Sequence, residues 1–141
     1  MQSKLNPYVS FDGNAREAME FYKTVFGGEL ALSTFGEAGM TDHGVKRDQI
    51  MHAQLVADNG ITLMASDTAT GMREYVVGTN MSISLSGDNE AELTDYYNKL
   101  ADGGKVEQPL TKAPWGDMFG MCIDKFGTFW MVNITAEKAK S

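Results

Sequence analysis

Two imidazoles, His43 and His52, are the groups in this chain best suited to moving a proton near neutral pH. His52 lies where His52 and Gln54 alternate with Met51, Ala53 and Leu55. That is the period of a strand, so imidazole and amide share one face. Two readings of that face stay open. It is either a hydrogen-bonded structural histidine on a half-solvated sheet, or a pair that points into a cleft and orients a ligand, with His52 as a candidate proton shuttle. His43 sits beside Asp42 in the polar stretch Gly36 to Asp48 and reads as a solvated histidine, relevant only if that loop is a lid. Ser82, Ser84 and Ser86 alternate with Met81, Ile83 and Leu85, which puts three hydroxyls on one strand face. They form either a solvent-facing stripe or a set of ligand hydrogen-bonding groups. No Ser-His-Asp grouping follows from the spacing, so nucleophilic catalysis has no support. Trp115 stands between Pro114 and Gly116 in a loop, where so large a ring needs a reason to be fixed. Packing over the mouth of a cleft would supply one, and a ligand could stack there. Asn133, among apolar strand residues, is the last polar group expected to face a cavity. Most of the ten methionines read as core, since methionine fills irregular gaps.

The elements that must position these groups come in two copies. Asn14, Glu17, Phe21-Tyr22 and Gly27-Gly28 return as Asn89, Glu92, Tyr96-Tyr97 and Gly103-Gly104. Each set has the signature of a helix with an Asn cap, a Glu three residues later to close a capping box, a buried stripe, and a glycine stop. The stripes are Ala18, Tyr22 and Val25 in the first helix and Leu93, Tyr96, Tyr97 and Leu100 in the second. A strand over Leu5 to Phe11 precedes helix one, with Pro7 at its edge or start. Strands over Glu29 to Phe35, Gln49 to Ala57 and Ile61 to Ser66 follow, the last two joined by the turn Asp58-Asn59-Gly60. After a connector from Asp67 to Gly78 the order begins again, with strands at Met81 to Leu85, Val106 to Leu110, Met118 to Ile123 and Thr128 to Ile134. The expectation is an α+β chain of two tandem β-α-β-β-β modules, about 4–67 and about 79–135, within one domain spanning 1–141. Two copies of so long a period point to duplication inside a domain, because a solenoid needs more and shorter repeats.

Composition narrows the partners. A formal charge of −7 repels phosphate backbones and anionic lipids, and no basic cluster is denser than Lys46-Arg47, so neither nucleic acid nor membrane is expected. The first residues lack a secretory apolar stretch, which with a lone cysteine points to the cytoplasm. Cys122, flanked by Met121 and Ile123, reads as a buried strand thiol that can form neither an intrachain disulfide nor a thiolate cluster.

Over nearly its whole length the chain resembles the vicinal oxygen chelate superfamily, which includes glyoxalase I, bleomycin-resistance proteins and extradiol dioxygenases. The wording is that of its PhnB-like branch: Asn6-Pro7-Tyr8, Phe11-Asp12-Gly13-Asn14, Glu20-Phe21-Tyr22, Phe26-Gly27-Gly28, Met51-His52-Ala53, Leu63 to Asp67, Trp115-Gly116, Phe119-Gly120-Met121 and Asp124 to Asn133. The resemblance implies curved sheets around a cleft and a homodimer. Members of the branch are often labelled demethylubiquinone methyltransferases. A methyltransferase commonly carries a glycine-rich loop on a doubly wound sheet, which this repeat does not build. The superfamily's enzymes hold a divalent ion with four His or Glu side chains, at positions that fall here near Pro7, Leu63, Ser82 and Met131. None of the four is a suitable ligand, so no metal and no cofactor are expected. With strand parity, the resemblance implies a cleft lined by His52, Gln54, Ser82, Ser84, Trp115, Phe119, Met131 and Asn133, suited to a small neutral or weakly anionic organic ligand. The expected function is metal-free small-molecule binding. The alternatives are a lyase or isomerase, with His52 as base or with a recruited metal, and an interaction module built for its dimer interface.

Overall fold

The computed structural model describes residues 3–39, 46–68 and 74–136. They divide between a first unit, Met1–Val76, and a second, Val77–Ser141. The first holds β1 (Tyr8–Phe11), α1 (Ala15–Phe26), β2 (Glu29–Thr34), β3 (Ile50–Val56) and β4 (Thr62–Asp67). The second repeats the order as β5 (Ile83–Gly87), α2 (Glu90–Ala101), β6 (Lys105–Lys112), β7 (Met118–Ile123) and β8 (Phe129–Ile134). The chain is α+β, two β-α-β-β-β modules with one mixed four-stranded sheet each, ordered β1-β4-β3-β2 and β5-β8-β7-β6. In both, the first strand runs parallel to the last, and the other pairings are antiparallel.

Each helix covers one face of its own sheet. From α1, Ala15, Ala18, Met19, Tyr22, Val25 and Phe26 are buried, and the strands bury Phe11, Ala53, Leu55, Leu63 and Ala65. From α2 the buried residues are Leu93, Tyr96, Tyr97 and Leu100, the stripe expected from the sequence, and the strands contribute Leu85, Cys122, Trp130, Val132 and Ile134. Each fully buried side chain of this size stabilises by about 2 kcal/mol.

The two glycines that stop each helix have different tasks. Gly27 has φ 74° and Gly103 φ 78°, the left-handed region, and added Cβ atoms there meet only open space or the flexible Lys125 side chain. Gly28 and Gly104 let the following strand pass close to its neighbour. A Cβ on Gly28 would overlap the Val56 carbonyl oxygen, and one on Gly104 that of Ile123.

Several local expectations change. The Asn14 side chain makes no capping bond. The Ala15 amide is instead taken by the carboxylate of Asp67, from the far end of β4. Asn89 does cap, accepting from the Glu92 amide at 3.1 Å. β1 begins at Tyr8, just after Pro7, whose carbonyl accepts the Met64 amide and whose missing N–H falls outside the ladder. β5 begins at Ile83, so Ser82 precedes it. β6 runs through Pro109, because register shifts on either side of Gln108 absorb extra residues and this edge strand needs no outward N–H there. His43, and with it part of the Gly36 to Asp48 stretch, lies outside the described residues.

Candidate functional site

Of the side chains singled out for chemistry, His52, Gln54, Ser84, Phe119, Met131 and Asn133 project from the sheet faces that the helices leave uncovered. In β3, Ala53 and Leu55 are buried under α1, while His52 and Gln54 alternate with them on the opposite, half-exposed face. The ladder sets Gln54 between Ala31 of β2 and Met64 of β4, and pairs His52 with Ser33. Tyr8 and Ser10, beside Met64 and Ser66, complete that face from β1. His52 is not solitary. The Tyr8 hydroxyl lies 3.3 Å from its Nδ1, with ring centroids 5.8 Å apart. Tyr8 was missed as a site residue, although its place two residues before Ser10, in a strand of alternating parity, is the signal that finds it.

The second sheet repeats the geometry with different chemistry. Ser84 pairs with Met131, Met131 with Met121, and Asn133 with Phe119, all half-exposed or exposed and all alternating with residues buried beneath α2. Ser82 is exposed ahead of β5. Trp115 is 60% exposed but held on two sides. Its ring packs edge-on against Phe119, with centroids 5.5 Å apart, and its Nε1 donates to Asn133 Oδ1 at 3.3 Å. Asn133 Nδ2 donates to Asp117 Oδ2 at 3.0 Å, and Asp117 Oδ1 accepts the Ala136 amide at 2.8 Å. A carboxylate can only accept, so Asp117 fixes which end of the Asn133 amide faces the indole. Of the expected site residues, the structure thus joins Trp115, Phe119 and Asn133 in one network and places His52 and Gln54 side by side on another face.

Beneath the helices the polar groups are structural. Asp67 and Asp124 are each 3% exposed. Asp124 accepts from the amides of Phe126 and Thr128 and, at 2.8 Å, from Trp130 Nε1, which locks the β7–β8 turn. Burial, with Asp124 and Glu107 adding negative charge, pushes the Cys122 thiol up to about 11, so it is neutral and inert at physiological pH. Burial raises the Tyr97 phenol as well, with Cys122 adding to it; its hydroxyl donates to Gln108 O at 2.8 Å, bracing the irregular part of β6.

The superfamily's divalent ion does not fit these residues. Leu63, one of the aligned positions, is 2% exposed beneath α1, and the uncovered position beside β1 is Met64, as Met131 is beside β5. Thioethers and hydroxyls at these places supply neither carboxylate oxygen nor imidazole nitrogen for a borderline or hard cation. Among the described residues, no group of three or more His, Cys, Asp or Glu side chains is arranged to hold an ion.

Comparison with known proteins agrees with this architecture. Residues 3–133 match the family described as 3-demethylubiquinone-9 3-methyltransferase. The chain is 39% identical to the crystal structure of PA1353 from Pseudomonas aeruginosa, with a TM-score of 0.82 over 96% of this chain and 100% of that one. It is 26% identical to a PhnB protein of Bacillus cereus, with a TM-score of 0.74 over 94% and 100% of the two chains. Protein YjdN of Escherichia coli K12 is 26% identical over 95% of this chain and 97% of its own. At 12% identity and a TM-score of 0.64, over 95% and 98% of the chains, the fold is shared with a glyoxylase/bleomycin resistance protein/dioxygenase domain from Frankia. The methyltransferase in the family's description is not an activity this architecture explains, since two β-α-β-β-β units are not the doubly wound sheet that carries a glycine-rich cofactor loop. By its matched residues the chain belongs to the family described as 3-demethylubiquinone-9 3-methyltransferase, with a fold it shares with the PhnB protein of Bacillus cereus and with the glyoxylase/bleomycin resistance protein/dioxygenase domain.

Proposed function

We propose that the chain is a small-molecule-binding protein that works without the superfamily's divalent ion, using the sheet faces that bear His52, Gln54, Ser82, Ser84, Trp115, Phe119, Met131 and Asn133. The observation that carries this reading is Trp115: a ring left 60% exposed is nevertheless fixed by Phe119 on one side and by the Asn133–Asp117 pair on the other. An exposed indole held in one orientation costs side-chain entropy, which stacking against a flat or apolar ligand would offset. Trp130 is 2% exposed, so fluorescence quenched by added compounds reports on Trp115. A screen of aromatic and apolar compounds should yield saturable quenching that Trp115→Ala abolishes. Compounds that bind equally well to the Ala variant would overturn the assignment. Elemental analysis after dialysis should find less than one divalent ion per chain, and a stoichiometric ion would overturn the metal-free part.

The Tyr8–His52 hydrogen bond favours a second reading, an enzyme of the lyase or isomerase type with His52 as base, since an oriented imidazole is what proton abstraction needs. Turnover of a bound compound that His52→Gln eliminates, while binding persists, would establish it. We further place the protein in the cytoplasm as a homodimer. No described helix is long and apolar enough to cross a membrane, and the edge strand β6 is exposed at every residue but the half-buried Leu110, a ladder edge open to a partner. Light scattering should give twice the 15.4 kDa chain mass.

A further inference from the structure

We infer that two copies of the chain join edge to edge through β6 about a twofold axis at Val106, so that Val106 faces the partner's Val106 and, on either side of it, Lys105 faces the partner's Glu107. The inference rests on the homodimer reading and supplies its surface, register and contacts. β6 is the outer strand in the order β5-β8-β7-β6, so one side of its ladder is left open within the sheet. Most of that edge is unsuited to another strand. The register with β7 shifts between Val106 and Gln108 and again between Gln108 and Thr111, and Pro109 has no N–H to offer. Ahead of the first shift, Lys105 and Val106 pair regularly with Ile123 and Cys122, and Glu107 is the inserted residue that the register skips. The window left is Lys105-Val106-Glu107, every residue of it exposed, with the apolar Val106 47% exposed. That window is self-complementary. Antiparallel strands with residue 106 on the axis set 105 against 107 twice over, and opposite charges directly across a ladder stabilise it.

The first unit shows why this edge is the one used. Counted from the glycine stops, Glu29, Leu30 and Ala31 of β2 stand where β6 has Lys105, Val106 and Glu107. An axis at Leu30 would set Glu29 against Ala31 and join no charges. The helices differ as well. Counted from Asn14 and Asn89, the places of Arg16, Met19 and Lys23 in α1 are taken by Ala91, Thr94 and Asn98 in α2. Met19 is buried, whereas the shorter set leaves a groove of about 680 Å³, with Ala91, Thr94 and Asn98 along one wall and Val106, Pro109 and Leu110 along the other. A twofold axis that makes the strands antiparallel stands perpendicular to the joined sheet, so both α2 helices lie on one face. The partner's β6 then extends the floor of the groove, and its α2 closes the open side. Three ladder residues are few to hold two chains, and the apolar surface buried there supplies the rest.

Charge reversal in the full chain tests the register. Lys105→Glu and Glu107→Lys, both at exposed positions and checked by thermal melting, each set like charges across the axis and should weaken the dimer by about tenfold or more in sedimentation at low salt. The double variant Lys105→Glu/Glu107→Lys should associate as the wild type does. Mixing the two single variants is sharper. One then presents only carboxylates at the seam and the other only ammonium groups, so native mass spectrometry should show a heterodimer in excess of either homodimer. Val106→Cys should link two chains by a disulfide under mild oxidation, since facing residues lie within the span such a bond needs. Lys112→Cys, six residues and roughly 20 Å from the axis, should not. Cys122 is buried and leaves the background clean. Single variants that associate like the wild type, a mixture without preference for the heterodimer, or Val106→Cys chains that stay unlinked would each overturn the seam. If the wild type is still a dimer in that case, the homodimer reading stands and only the β6 surface falls. A wild-type chain that stays monomeric at every concentration overturns both.

Discussion

The carboxylate of Asp67 accepts the amide of Ala15 at 2.9 Å with one oxygen and the amide of Ile50 at 2.8 Å with the other. One side chain at the end of β4 therefore holds the start of α1 and the start of β3, and it is 3% exposed. Asp67→Ala leaves both donors buried without a partner and removes the negative charge from the helix N-terminus. The expected loss is about 3 kcal/mol, read by urea denaturation. Asp67→Asn should lose nearly as much, because its Nδ2 would face an N–H. A loss below about 1 kcal/mol for Asp67→Ala would show that water or a neighbour replaces the carboxylate.

The glycine pairs give a differential test. Gly27→Ala meets open space and suffers only the left-handed backbone, a cost of about 1–2 kcal/mol. Gly28→Ala has the same backbone difficulty and also drives its Cβ into the Val56 carbonyl. It should cost at least about 1 kcal/mol more and shift the β2–β3 amide resonances. Equal costs would mean that the strands separate without penalty.

Cys122 gives a pH signature. Its thiol is raised from 9.0 to about 11 in the folded state, so above pH 9 the unfolded chain releases a proton that the folded chain retains. Stability contributed by the neutral thiol is complete below pH 9 and declines as pH rises toward 11. Cys122→Ala should remove this component of the alkaline slope. Native protein should also react with a thiol reagent only at the rate of unfolding.

Asp117→Ala should free the Asn133 amide to turn and loosen Trp115. Fluorescence anisotropy should fall and ligand quenching should weaken by about tenfold, while Trp130, anchored by Asp124, stays unmoved. Unchanged anisotropy would show that the Phe119 contact alone holds the ring.

What the sequence made legible was whatever a local period or a repeated phrase could carry. The duplicated helices, their buried stripes, the alternation of His52 with Ala53 and the buried Cys122 all follow from spacing. The partners of polar groups did not follow, because they are fixed by register between distant strands. Asn14 and Asn89 occupy matching places in the repeat, yet only Asn89 caps, since in the first unit a carboxylate 52 residues away reaches the helix first. Likewise nothing within the loop announces that Trp115 is tied to Asn133, 18 residues on, or that Tyr8 would meet His52, 44 residues later. Leu63 shows the limit of aligning on helix and turn landmarks: a shift of one residue moves a strand position to the other face.

The insertion of β4 between β1 and β3, and of β8 between β5 and β7, bears on how the chain is made. Neither sheet can zip up in the order of synthesis, because the strand that joins its opening strand to the hairpin is the last to leave the ribosome. Until Asp67 has emerged, β1 has no neighbour and α1 lacks its cap, so more than fifty residues of the first unit wait on a single late strand. Such closure is slow compared with hairpin formation, and a stalled or truncated chain ending before that strand would present two unmatched ladder edges to chaperones and to other nascent chains.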